Sequence, residues 1–259
     1  MEETYWTLKT LAVVCPMVFA AGFVDSVAGG GGLLSLPAYL FAGLPIHLAA
    51  GTNKLSSCCG TAVAVLRYGQ SGCIHWRMAL LAGAGALGGS WLGAQLAMRL
   101  SPQALQGAVM VILPCVAVFL LFRRDFGKNQ RPAVVPTRWL PLAAAVVGLV
   151  MGGYDGFFGP GTGTFLALAF TGLLGQSLIQ ATGNAKVVNL CSNLAALAAF
   201  VLFGKVAWAL GLTAAACNIA GSWLGSRLAI RRGAAFIRPV ILFSVALLFG
   251  SLLKDMLVP

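Results

Sequence analysis

GFVDSVAGGGG, residues 22–32, interrupts an apolar stretch with one aspartate and four consecutive glycines. Residues 152–163 repeat the device as GGYDGFFGPGTG: an aspartate, then a break rich in glycine and proline, with apolar sequence on both sides. Glycine releases the backbone from helical geometry. A charge within hydrocarbon costs at least about 2.5–3.5 kcal/mol. A lipid-soluble chain that carries both features twice is built around them.

The surroundings are those of a membrane protein. Of 259 residues, 59% are hydrophobic and 9% charged, against about 25% charged in a soluble domain. Apolar runs of about 20 residues predict an all-α integral membrane protein. The short alternating segments of a β-barrel are missing. The net charge of +11 does not point to nucleic acid. The basic residues sit in short loops and at helix ends, as the positive-inside rule places them, and no RNP motif, zinc finger or basic-aromatic face occurs. Cys15, Cys58, Cys59, Cys73, Cys115, Cys191 and Cys217 fall mostly in apolar segments without a Cys-x-x-Cys, and the only histidines are His47 and His75. No metal site and no cofactor are expected. The N-terminus, MEETYWTLKT, is acidic rather than basic, so residues 11–28 read as a retained membrane segment and not a signal peptide.

The chain is duplicated. GSWLGAQLAMR (89–99) matches GSWLGSRLAIR (221–231) at 8 of 11 positions, 132 residues apart. At that offset Gly72, Trp76 and Lys54 recur as Gly204, Trp208 and Lys186, while Asp25 pairs with Asp155 at an offset of 130. The organisation read from this is a membrane repeat over 1–122, a linker over 123–138 and a second membrane repeat over 139–259. The linker carries Arg123, Arg124, Lys128, Arg131 and Arg138 against the single acid Asp125, a cytoplasmic signature. Apolar segments are expected near 11–28, 33–43, 47–67, 76–98 and 103–122, and again near 139–155, 161–174, 178–203, 206–229 and 237–253. The second of each set is too short to cross a bilayer and directly follows a break, so each repeat opens with a discontinuous helix. The loop over 227–238 holds four arginines and belongs inside. Its equivalent near Arg99 lies one helix before the linker and hence outside. Equivalent loops on opposite faces require an odd number of crossings per repeat: two inverted repeats of four to five segments, with both termini periplasmic. Such folds place their substrate site at the bilayer midplane between repeats.

Asp25 and Asp155 are the only acidic residues within apolar segments. Two readings are open for them: capping of the half-helices that start near Leu33 and Thr162, or proton carriage. Lys54 and Lys186 either snorkel to the interface or face a central site and draw in an anion. Around them Thr52, Asn53, Ser56, Asn184, Asn189, Ser192 and Asn193 read as ligand donors or as polar glue between helices. Asn189 and Asn193 are one turn apart on one face. Gly29, Gly30, Gly31 and Gly32, with Gly159, Pro160 and Gly161, would be the hinges, their half-helix N–H groups forming an anion site. GAGALG (83–88) formally matches a dinucleotide-binding fingerprint but lies mid-helix, where the mechanism of that motif fails. Gly85, Gly89, Gly93, Gly221 and Gly225 read as close helix packing.

GFVDSVAGGGGLLSLPA, AGTNKL, YDGFFGPGTG, GSWLGSRLA and FIRPVI (236–241) resemble the TauE/SafE sulfite-exporter family, in particular its YfcA-like branch, over nearly the whole chain. The resemblance implies a bacterial inner-membrane permease of two repeats handling sulfite or related organosulfonate anions. Asp25, Gly29–Gly32, Asn53, Lys54, Asp155, Phe158, Gly159, Pro160 and Lys186 fall on the family's motif positions. GPGTG at 159–163 departs from the Ala/Ser-rich run expected there. The function expected is secondary transport of a small anion, without enzyme activity, with the lipid bilayer as surroundings, no nucleic acid, and a homo-oligomer as an open option. An anion channel and a non-transport structural role are the alternatives. The lack of GxSxG and HExxH argues against an intramembrane enzyme, and the lack of a P-loop against a self-contained ATP-driven pump.

Overall fold

The computed structural model describes residues 5–101, 103–104, 132–157, 159–237 and 239–240. The described elements are helical: α1 (Leu8–Ala28), α2 (Gly32–Phe41), α3 (Ile46–Gln70), α4 (Trp76–Arg99), a 3-10 turn (Thr137–Trp139), α5 (Leu140–Phe157), α6 (Thr162–Gly172), α7 (Leu178–Leu202) and α8 (Trp208–Arg232). They match the expected segments within a few residues. Nearly all of the expected segments at 103–122 and 237–253, Phe158, Arg238 and the linker basic residues other than Arg138 lie outside the described residues. Leu8–Ala28, Thr137–Phe157 and Leu178–Leu202 are long and apolar enough to cross a membrane. α3, α4 and α8 are as long, at 25, 24 and 25 residues, but carry more glycine and hydroxyl residues, which turn inward.

α1 starts where Thr7 Oγ1 accepts from Thr10 N and stops at Gly29, whose positive φ of 80° ends the helical ladder. α2 and α6, of 10 and 11 residues, rise about 15–17 Å, half a bilayer. The long helices pack through glycine. A Cβ on Gly89 or Gly93 of α4 would stand 2.0 Å from Leu149 O or 2.1 Å from Gly153 O of α5. A Cβ on Gly221 or Gly225 of α8 would stand 2.0 Å from Phe19 O or 2.4 Å from Phe23 O of α1. The fourth helix of each half therefore packs, backbone against backbone, on the first helix of the other. Between membrane helices that close approach supplies the van der Waals energy that the hydrophobic effect supplies in water.

α3 and α7 meet end for end. Gly51, early in α3, abuts Lys205 O just beyond α7, while Gly183, early in α7, abuts Cys73 O just beyond α3. Thr52 Oγ1 accepts from Ala207 N at 3.0 Å, and Asn184 Oδ1 accepts from His75 N at 2.8 Å. Ala207 and His75 are the N-cap residues of α8 and α4, so each half caps the fourth helix of the other. All four pairs obey the repeat offset, and the two central helices run antiparallel.

Gly29 and Gly43 both have positive φ, 80° and 86°. A Cβ on Gly29 would lie 2.3 Å from Gly163 Cα, whereas nothing lies within 4 Å of one on Gly43. Gly43→Ala should therefore cost only the backbone term, about 1–2 kcal/mol. Gly29→Ala should add an overlap of about 1–3 kcal/mol. Melting curves in detergent should rank Gly29→Ala well below Gly43→Ala; equal values would show that the breaks are not in tight contact.

Candidate functional site

The two breaks cross one another. A Cβ on Gly163 would lie 2.5 Å from Gly29 Cα. Thr164 Oγ1 donates to Ala28 O at 2.8 Å, and the Cβ position of Gly32 is 3.4 Å from Pro160 Cα. Irregular backbone is tolerable at this depth only when buried in protein, and here each break buries the other.

Both aspartates reach forward to the half-helix that follows them. Asp25 Oδ1 accepts from Gly31 N at 3.4 Å, the N-cap residue of α2. Asp155 Oδ1 accepts from Thr162 Oγ1 at 3.1 Å, the first residue of α6. The first contact is longer than a normal N–H···O bond, so capping is not the main business of Asp25. The main partners are the lysines, and they come from the other half of the chain. Lys54 Nζ donates to Asp155 Oδ2 at 2.8 Å and to Asn193 Oδ1 at 3.0 Å. Lys186 Nζ donates to Asp25 Oδ2 at 3.1 Å and to the Asp25 carbonyl. Ser192 Oγ donates to Asp155 Oδ2. Neither lysine snorkels; both are buried. Each ammonium is matched by one carboxylate, so the cluster is neutral as a whole.

The pairs are equivalent in sequence but not in surroundings. The side chain of Asp25 is 24% exposed and that of Asp155 is 7% exposed. Asp155 is enclosed by a lysine and two hydroxyls, whereas Asp25 has one lysine and one long contact. A cavity of about 30 Å³ lies between the breaks, walled by Asp25, Lys54, Asp155, Asn53, Asn189 and Asn193, with Gly29, Gly31, Gly32, Gly159 and Gly163 as backbone wall. Asn53 Oδ1 and Asn189 Oδ1 are buried and have no hydrogen-bond partner. Buried polar atoms are nearly always satisfied, so two orphaned amide ends on one small cavity mark a place for a polar guest. Rotation of either amide presents N–H in place of oxygen.

The structure thus brings together Asp25, Asp155, Lys54, Asn53, Asn189 and, of the hinge residues, Gly29, Gly31, Gly32 and Gly159; Gly30, Pro160 and Gly161 do not wall the cavity. Lys186 stands behind Asp25 and does not wall the cavity. Thr52 and Asn184 lie apart from the cavity, each occupied as a cross-half helix cap. Ser35, Ser57 and Asn218 also line it and were not singled out from the sequence. Ser57 sits at the repeat offset from Asn189, a signal that was available; Asn218 is the lone amide in TAAACNIAGS.

The family described as "Sulfite exporter TauE/SafE" matches residues 14–252. Over 257 residues the chain is 36% identical to "Probable membrane transporter protein YfcA" of Escherichia coli strain K12, covering 96% of this chain and 94% of the relative. It is 36% identical to "Probable membrane transporter protein ORF9" of Sinorhizobium sp., covering 95% and 93%. It is 33% identical to a "Probable membrane transporter protein" of Haemophilus influenzae, covering 96% of each. No solved structure matches the chain. The chain belongs to the sulfite exporter TauE/SafE family and is a membrane transporter.

Removing one partner of a buried ion pair strands the other charge, at roughly 3–5 kcal/mol, whereas removing both can be nearly neutral. Lys54→Ala and Asp155→Ala should each lower the melting temperature of the purified protein. The double variant should melt above either single one. A double variant that loses the sum of the two would show that the pair does not couple.

Proposed function

We propose that this transporter moves a small anion by alternating access, that sulfite or another sulfur-containing or organosulfonate anion is the substrate class, and that the anion sits where the two breaks cross. The observation that carries the reading is the pair of lysine–aspartate bridges exchanged between the two halves around a cavity with unpartnered amides. The chain divides into a repeat over 1–122, a linker over 123–138 and a repeat over 139–259, and the repeats are inverted. End-for-end packing of α3 on α7 supports this, because equivalent helices that run antiparallel are related by an axis in the membrane plane.

Charge supports the orientation. Arg67, Arg77, Arg138, Arg227, Arg231 and Arg232 lie toward the face where α3 and α8 end and α4 and α5 begin. Lys9, Arg99 and Lys205 lie toward the opposite face, where α1, α3 and α8 begin. The first face is cytoplasmic by the positive-inside rule, and the N-terminus is periplasmic, in a bacterial inner membrane.

In the mechanism, Lys54 holds the anion, with Asn53 and Asn189 turning their amides to donate and half-helix N–H groups of the breaks adding the favourable end of the helix dipole. Lys186 acts through Asp25. The cavity is small, at about 30 Å³, and the breaks part to admit a sulfur oxyanion. Gly29–Gly32, Gly159, Pro160 and Gly161 are the hinges; Gly159 and Gly161 have φ of 93° and 84°. The neutral cluster becomes anionic when the substrate arrives. Asp25, the more exposed of the two carboxylates, is the one placed to carry a proton with the anion. The charged groups facing Asp25 are Lys186 of α7 and, across the cavity, Lys54 and Asp155.

In proteoliposomes, sulfite flux should saturate with concentration, and Lys54→Ala and Lys186→Ala should each abolish it. Full flux in both variants would remove the lysines from the mechanism. Asp25→Asn should lose the pH dependence of flux; an unchanged pH profile would leave Asp25 as a cap and counter-ion only. In a background with the native cysteines replaced, Ser71→Cys should label from the cytoplasmic side alone and Gly204→Cys from the periplasmic side alone. Labelling of both from one side would refute the inverted arrangement.

A further inference from the structure

The matched segments at 89–99 and 221–231 differ in only three places, and one difference has a structural setting. Trp223, Arg227 and Arg231 are spaced i, i+4, i+8 along α8 and share one stripe. The Arg67 guanidinium of α3 lies 5.0 Å from the Trp223 ring centroid and that of Arg227 lies 5.2 Å from it. Two cations therefore stand on one aromatic ring. Arg67 Nε is buried and has no hydrogen-bond partner. Among the described residues the acidic side chains are Asp25 and Asp155, both engaged by lysines at the crossing, so no carboxylate there balances these arginines.

The other half of the chain is an internal control. Its equivalent positions are Trp91, Gln95, Arg99 and Ala199. The same scaffold packs with glutamine and alanine in place of Arg227 and Arg67, so the fold does not require the two guanidinia. They serve something present on one face only. Trp223 is an exposed residue on the outside of the bundle, where the surroundings are lipid. Guanidinium is the side chain best matched to phosphate, through paired N–H donors in a fixed fork. The cytoplasmic leaflet is the one rich in anionic headgroups.

We propose that Arg67, Arg227 and Arg231 with Trp223 form a binding site for the phosphate headgroup of an anionic phospholipid. The Trp223 ring holds both guanidinia by cation–π contact, and the orphaned Arg67 N–H takes a phosphate oxygen as its acceptor. The site lies on α3 and α8, the helices that also carry Lys54 and Asn218, so occupancy pins two of the cavity-bearing helices to the cytoplasmic leaflet. The choice of leaflet rests on the orientation proposed above; the site itself does not.

The test uses the purified full chain in an uncharged detergent. Thermal stability is recorded against added phosphatidylglycerol, phosphatidylcholine and inorganic phosphate. Phosphatidylglycerol should raise the melting temperature and phosphatidylcholine should not, since a ligand that binds only the folded state stabilises it by mass action. Arg67→Ala with Arg227→Gln copies the residues that the other half already tolerates, so it should fold. It should raise the phosphatidylglycerol concentration for half the shift on the order of tenfold or more. Arg99→Ala, on the other face, should leave the shift unchanged. An equal shift from inorganic phosphate would overturn the lipid assignment in favour of a soluble anion. An unchanged phosphatidylglycerol response in the double variant would overturn the site. Neither result bears on sulfite flux, so the transport reading stands or falls separately.

Discussion

Two ammonium groups and two carboxylates lie inside a bundle that presents lipid to its outer surface, and the rest of the structure follows from how they are kept there. A lone charge at that depth is untenable. Lys54 is held by Asp155, 101 residues away, and Lys186 by Asp25, 161 residues away. Because the partners are exchanged between halves, neither half can satisfy its own charges. The same exchange recurs at every scale of the packing. Gly89 and Gly221 set each fourth helix against the other half's first helix, and Thr52 and Asn184 cap the other half's fourth helix. A half on its own would carry a stranded lysine, a stranded aspartate and an uncapped helix.

Duplication supplies the symmetry, and the residues around the cavity break it. Asp155 has Thr162 and Ser192 as hydroxyl donors; the positions equivalent to these in the other half are Gly32 and Gly60. Asp25 therefore makes fewer contacts and is the more exposed of the two. Asn189 answers to Ser57 and Asn53 to Ala185, so the cavity wall is unevenly supplied with amides. The two carboxylates are thus unequally held: Asp155 by a lysine and two hydroxyls, Asp25 by a lysine and one long contact.

Much of this was legible in the sequence. Apolar length and glycine breaks place the helices: the segment expected at 33–43 is α2 (Gly32–Phe41), and that expected at 206–229 is α8 (Trp208–Arg232). The small-residue spacing of Gly85, Gly89, Gly93, Gly221 and Gly225 indicated close packing, and those glycines do meet backbone. The repeat offset marked both aspartates and both lysines. It could not show that each aspartate binds the lysine of the other half, since equivalence in a repeat says which residues play the same part and not which ones touch. Thr52 and Asn184 illustrate the same limit. Polar residues beside the lysines read equally as donors to a ligand or to protein, and only the position of Ala207 and His75 decides between them. Ser35, Ser57 and Asn218 face the cavity because of helix rotation, which a hydroxyl or amide in an apolar helix does not reveal.

The tightness of the crossing has its own mechanistic weight. Gly29 and Gly163 touch at a separation that leaves no room for a side chain, and the cavity beside them is small, at about 30 Å³. On the proposed mechanism, the backbone that walls the cavity would move to admit the anion. Interdigitated cores resist gradual deformation and prefer a few discrete arrangements, so under the proposed alternating access one half would shift against the other along the α1–α8 and α4–α5 contacts. Those contacts set glycine against backbone carbonyls. In the proposed mechanism the small residues that let the helices approach would also let the halves rock, and the exchanged ion pairs would supply the register to which they return.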